Sequence, residues 1–142
     1  MSQEDVRQRV GYLVKQVAQA FRRASEERLR TLGLSMSQYA VLRALADVPG
    51  APAAELARRT FVTRQSLRDV LAGLRAAGLV DVATAPAAGK ALPVTLTPAG
   101  RAALDRADDI VVDVERRMLA DLPPDEVRRL AATLSACAGN LS

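Results

Sequence analysis

Residues 56–80 read LARRTFVTRQSLRDVLAGLRAAGLV, two helical segments joined by a tight turn, the second of them basic, amphipathic and closed by glycine. This is the layout of a helix-turn-helix that reads DNA. Within the stretch Arg58, Arg59, Arg64, Arg68 and Arg75 face a single acid, Asp69, for a local charge of +4. The formal charge of all 142 residues is also +4, so the rest of the chain is neutral in sum. A positive field concentrated on one element is what attraction to a phosphate backbone requires.

Outward from this stretch, residues 34–50 carry Ser35 and Gln38 at the spacing of a capping box. Tyr39, Val41, Leu42, Leu45 and Val48 follow on a short helix that stops at Pro49-Gly50. A second short helix begins near Pro52 and carries Glu55, Leu56 and Ala57. Thr63 is the expected N-cap of the next helix, whose buried face is Leu67, Val70, Leu71 and Leu74 and whose end is Gly78. Residues 79–84 and 92–97 read as two strands of a β-hairpin around Ala85, Pro86, Ala87, Ala88 and Gly89. Pro93 has no amide hydrogen for a ladder, which sets the second strand at an edge or a non-bonded position.

Beyond this lobe, Val6, Val10, Leu13, Val17, Ala20, Phe21 and Ala24 recur at steps of three and four, which predicts one amphipathic helix of about 25 residues. The stripe suits a dimer seam or packing on the chain's own core. Thr97-Pro98 opens a second long helix through Leu104, Ile110, Val114 and Met118. Pro123-Pro124 break it before a last helix with Val127, Leu130, Leu134 and Cys137. The expected fold is mainly α with a small β-hairpin wing, a single domain over 1–142. Its winged helix-turn-helix lobe spans about 34–97, and helical dimerisation regions span about 1–33 and 98–142.

Composition narrows the function classes. Histidine is absent and Cys137 is the one cysteine, which removes most of the vocabulary for zinc sites, general acid–base catalysis and disulfides. No catalytic set, metal or cofactor is therefore expected, and the chain does not read as an enzyme. Aromatics at 3% disfavour stacking on single strands, whereas a pI of about 10.0 suits duplex DNA. Cys137, among small residues with no neighbouring Lys, reads as an inert buried thiol. The N-terminus lacks the apolar core of a signal peptide and no uncharged run reaches membrane length, so the expected location is the cytoplasm.

With the apolar face of the second helix assigned to the core, Thr63, Arg64, Gln65, Ser66, Arg68 and Asp69 are left for the groove or its rim. Arg64 can fork to guanine O6 and N7, Gln65 to adenine N6 and N7, and Thr63 or Ser66 can hold a phosphate beside the helix N-terminus. The lesser alternative for these residues is that they are solvated charges on an ordinary helix. A winged helix that binds another protein, with weak or no specific DNA binding, is the alternative function; an apolar outward face would favour it.

The run LGLSMSQYAVLRAL at 32–45, the run 55–80 and VTLTPAG at 94–100 resemble the MarR-type transcriptional regulators over nearly the whole chain. The resemblance implies a ligand-responsive homodimeric repressor, built on its terminal helices, that binds a pseudo-palindromic double-stranded operator. It also implies a small aromatic or phenolic effector between the dimer helices and the lobe, near Tyr12, Phe21, Met36 and Tyr39, although each of these suits plain core filling. The wing departs from the family pattern. Where an Asp-x-Arg is common, this chain has Ala88, Gly89 and Lys90. Lys90 keeps a charge without the fork of arginine, so the wing is expected to contribute less affinity, and Lys90 also fits a purely structural hairpin.

Overall fold

The lobe is assembled by short helices whose ends are written into the sequence. In the computed structural model, which describes residues 2–82 and 94–142, the chain opens with helices α1 (Gln3–Gln8) and α2 (Val10–Leu29). A single 3₁₀ turn (Arg30–Leu32) leads to α3 (Met36–Asp47), α4 (Ala53–Thr60) and α5 (Arg64–Ala76). Strands β1 (Val80–Val82) and β2 (Val94–Leu96), then α6 (Pro98–Met118) and α7 (Pro124–Asn140), complete it. The predicted caps are all made. The Ser35 hydroxyl accepts the Gln38 amide at 3.1 Å while the Gln38 side chain accepts the Ser35 amide at 2.9 Å. Thr63 Oγ1 accepts from the Ser66 amide and Thr97 Oγ1 from that of Gly100.

One apolar cluster joins the elements. Leu29 of α2, Val41 and Leu42 of α3, Leu56 of α4, Leu67 and Leu74 of α5, Val80 of β1 and Leu104 of α6 are all essentially buried together. The strands pair antiparallel, Val80 opposite Leu96 and Val82 opposite Val94, at the inner part of the predicted hairpin. The predicted turn from Ala85 to Gly89, with Lys90 and Pro93, lies outside the described residues.

The start of α6 is wedged onto the end of the α5 segment. Thr97 donates its amide to Leu79 O at 3.1 Å and its hydroxyl to Gly78 O at 2.7 Å. A Cβ on Gly100 would come within 1.9 Å of Leu79 O, so only glycine permits this approach.

Two expectations are corrected. The first long helix is interrupted at Arg9, whose φ of −69° and ψ of 138° end α1 and begin α2. Val10 and Gly11 after the break are weak helix formers, and the stripe residues Val6, Val10 and Leu13 lie exposed, with little burial to hold the helix straight. Cys137 is exposed, not buried. It rides on α7, which has no buried residue in the single chain, so small neighbours in sequence do not enclose it.

Candidate nucleic-acid interface

Helix α5 presents two chemically distinct faces. Leu67 and Leu74 are fully enclosed and Val70 and Leu71 half-buried, whereas Thr63, Arg64, Gln65, Ser66, Arg68 and Asp69 are all exposed. The predicted reading residues thus stand together on the outer side and leading end of one helix. Thr63 Oγ1 donates to Ser66 Oγ at 3.1 Å while accepting the Ser66 amide. That arrangement leaves the Ser66 hydroxyl hydrogen available to an incoming oxygen.

The first turn of α5 holds Arg64 and no acid. A cation at a helix N-terminus opposes the helix dipole, so the local electrostatics favour an external anion there. Arg58, Arg64 and Arg68 have no ion pair among the described residues, whereas Arg59 is paired with Glu55 at 3.3 Å along α4. Free guanidiniums beside unfilled backbone donors form a surface suited to phosphates and to base edges.

The lobe is tied to α6 by a polar cluster that the sequence reading missed. Tyr39 Oη donates to Asp108 Oδ1 at 2.8 Å, and Arg43 Nη1 donates to Asp108 Oδ2 at 2.6 Å. Arg43 also reaches Asp47 Oδ1 through Nη2 at 2.8 Å. Burial first, and then the bond to Asp108, raises the Tyr39 phenol well above its ordinary 10.0, so the neutral phenol is the bonded form. Arg28 of α2 pairs with Asp113 one turn and more further along α6. No sequence spacing links α3 to α6, and these partners lie 65 or more residues apart.

The four predicted effector residues are not brought together. Phe21 lines a cavity of about 300 Å³ between α2 and α6, with Val17, Ala24, Val114, Met118 and Arg117. Met36 packs half-buried against the lobe core, Tyr39 is committed to Asp108, and Tyr12 lies exposed on α2. Arg117 is the cavity residue that the sequence reading overlooked, because a basic residue near a helix end looks like an ordinary solvated charge. Lys90 lies outside the described residues.

The sequence profile of the MarR family matches residues 32–91. The HTH-type transcriptional repressor Rv2887 of Mycobacterium tuberculosis is 37% identical over 125 residues, spanning 88% of this chain and 90% of that protein. The chain belongs to the MarR family. Among solved MarR-family structures, Rv2887 in complex with salicylic acid matches with a TM-score of 0.75 at 36% identity, covering 91% of this chain and 96% of that one. Rv2887 in complex with DNA matches with a TM-score of 0.73 at 34% identity, covering 91% and 97%. The winged helix-turn-helix of this MarR-family chain is the segment in which the profile match and the exposed arginines coincide.

Proposed function

We propose that this MarR-family protein is a homodimeric transcriptional repressor that binds a pseudo-palindromic duplex operator and is released from it by a small aromatic acid. The observation that carries the reading is the outer face of α5, where Arg64, Gln65, Ser66 and Arg68 stand exposed beside an N-terminus with no acid of its own. Thr63 and Asp69 flank them, and Lys90 adds a sequence-independent phosphate contact from the wing. A basic outward face argues against the protein-binding alternative, since a protein groove would have to desolvate these guanidiniums.

The dimer reading rests on exposed apolar surface. Val6, Val10, Leu13 and Val17 at one end and Leu130, Leu134 and Leu141 at the other lie open in the single chain. Exposed apolar residues recurring along a helix in this way suit an association surface. We assign the lobe at about 34–97 to DNA and the regions at about 1–33 and 98–142 to dimerisation. No helix among the described residues is long and apolar enough to cross a membrane. A role on chromosomal DNA sets the protein in the cytoplasm, working as a binding protein and not as an enzyme.

For the effector, the cavity of Phe21 and Arg117 offers an aromatic wall and a cation, the two features that an aromatic carboxylate needs. The relative Rv2887 was crystallised with salicylic acid. Selection of duplexes from random-sequence DNA, followed by titration of the complex with salicylate, tests the whole reading. A specific duplex should be recovered, its affinity should fall steeply with salt, and salicylate should release it from the wild type but not from Arg117→Ala. Binding that is indifferent to both sequence and salt would refute the DNA reading, and release from both proteins alike would refute the cavity assignment.

A further inference from the structure

Three helical segments, the end of α2 with its 3₁₀ turn and the lobe helices α4 and α5, close by the same turn, in which an amide reaches back five residues to a carbonyl. Leu34 bonds Leu29 O at 3.1 Å, Leu79 bonds Leu74 O at 2.9 Å and Val62 bonds Ala57 O at 3.1 Å. Each closure needs one residue in the left-handed region just before the donor. Two of them use glycine, Gly33 at φ 71° and Gly78 at φ 76°; the third uses Phe61 at φ 58° and ψ 32°. A bulky side chain is disfavoured in that conformation, and glycine would serve the turn without strain.

Among the described residues nothing compensates Phe61, which is 95% exposed. The ring sits in the turn between α4 and α5, with Arg58 and Arg59 before it and Arg64 and Arg68 after it, and there is no acid between Leu56 and Arg68. A second copy of this turn would bring like charges together, and an ordinary protein groove would have to desolvate the guanidiniums. The surroundings fit a polyanion that displays an isolated apolar group. In the major groove of B-DNA that group is the C5-methyl of thymine. Arg64, at the leading end of α5, is three residues on and at most about 11 Å away, roughly three base steps along the duplex.

We propose that Phe61 is a specificity-determining residue whose ring packs on one thymine methyl at the edge of each half-site. The proposal rests on the DNA-binding reading above and adds a base contact outside α5. Strain held in a turn whose side chain packs on none of the described residues fits a residue kept for its partner.

The test uses the full chain and the duplex recovered from random-sequence selection, with each thymine replaced in turn by deoxyuridine, which removes only the methyl. Wild type should lose about fourfold in affinity at one thymine per half-site, the effect of one apolar carbon returned to water. Phe61→Gly should bind the parent duplex at least that much more weakly, should not distinguish thymine from uracil there, and should keep or raise the melting temperature. Arg64→Ala should remain sensitive to the methyl. A lowered melting temperature in Phe61→Gly would show a structural role and overturn the proposal. So would wild-type affinity in that variant, or a wild type indifferent to uracil at every position, the latter leaving a contact to the sugar-phosphate wall. A chain that selects no duplex overturns the DNA-binding reading and this one with it, whereas any of the other failures with a duplex in hand overturns this one alone.

Discussion

Arg64 opens α5 without an ion pair among the described residues, so its guanidinium fork is free for a guanine edge. Arg64→Ala is expected to weaken binding by about 1–3 kcal/mol and to relax preference at one position in each half-site. Lys90→Ala should instead lower affinity evenly across sequences and flatten the salt slope by about one unit for each phosphate it no longer neutralises. Titration of both variants against specific and scrambled duplexes at several salt concentrations separates the two roles. Tyr39 is a different kind of residue, since its hydroxyl serves the fold. Tyr39→Phe should cost about 0.5–1.5 kcal/mol of stability, because Asp108 keeps Arg43 as a partner. The folded phenol has its pKa raised above 10.0. The stability it contributes is therefore fully present below about pH 10 and is lost as the pH rises through the raised value. Chemical denaturation of the two proteins at neutral pH and at pH 9 should give the same difference at both.

At the scale of elements, local signals and observed boundaries agree best where a cap and a breaker bracket an apolar stripe. Thr63 and Gly78 bracket α5, and Ser35 opens α3 with its capping box, so these helices were legible from spacing alone. The first helical region is also bracketed, by the Ser2–Asp5 capping box and by Gly33, yet its interruption at Arg9 left no mark that periodicity could register. The junction of β2 and α6 carries its own prediction. Gly100→Ala should destabilise the protein by about 1–3 kcal/mol, since the added methyl meets the Leu79 carbonyl, which cannot rotate away as a side chain would. Thermal unfolding reads the loss. Ala99→Gly, next to it and exposed, should cost less. If the two variants were equally stable, the close approach at Gly100 would not be what holds α6 against the lobe.

For the whole molecule the deciding property is assembly. Leu130 and Leu134 lie on α7 with their side chains exposed, and no residue of α7 is fully buried within its own chain. Leu134→Asp is expected to shift sedimentation from dimer towards monomer or aggregate and to weaken operator binding with it, because one recognition helix reads too few base pairs alone. In the wild type the two recognition helices should stand roughly 34–36 Å apart, so that half-sites recur about one turn of B-DNA apart. A wild-type protein that sediments as a monomer at micromolar concentration would contradict the assembly.

The helix types, their caps, the side of α5 that faces outward and the concentration of positive charge around it were all determined by the sequence. They depend on neighbours within one or two turns, where periodicity and capping act. The Tyr39–Asp108–Arg43 cluster, the cavity that pairs Phe21 with Arg117, the exposure of Cys137 and the unsupported ring of Phe61 were decided only by tertiary structure. Each depends on which distant segment packs beside a residue, or on none doing so. That choice is made by the burial of the whole apolar surface at once, and short-range spacing carries no trace of it.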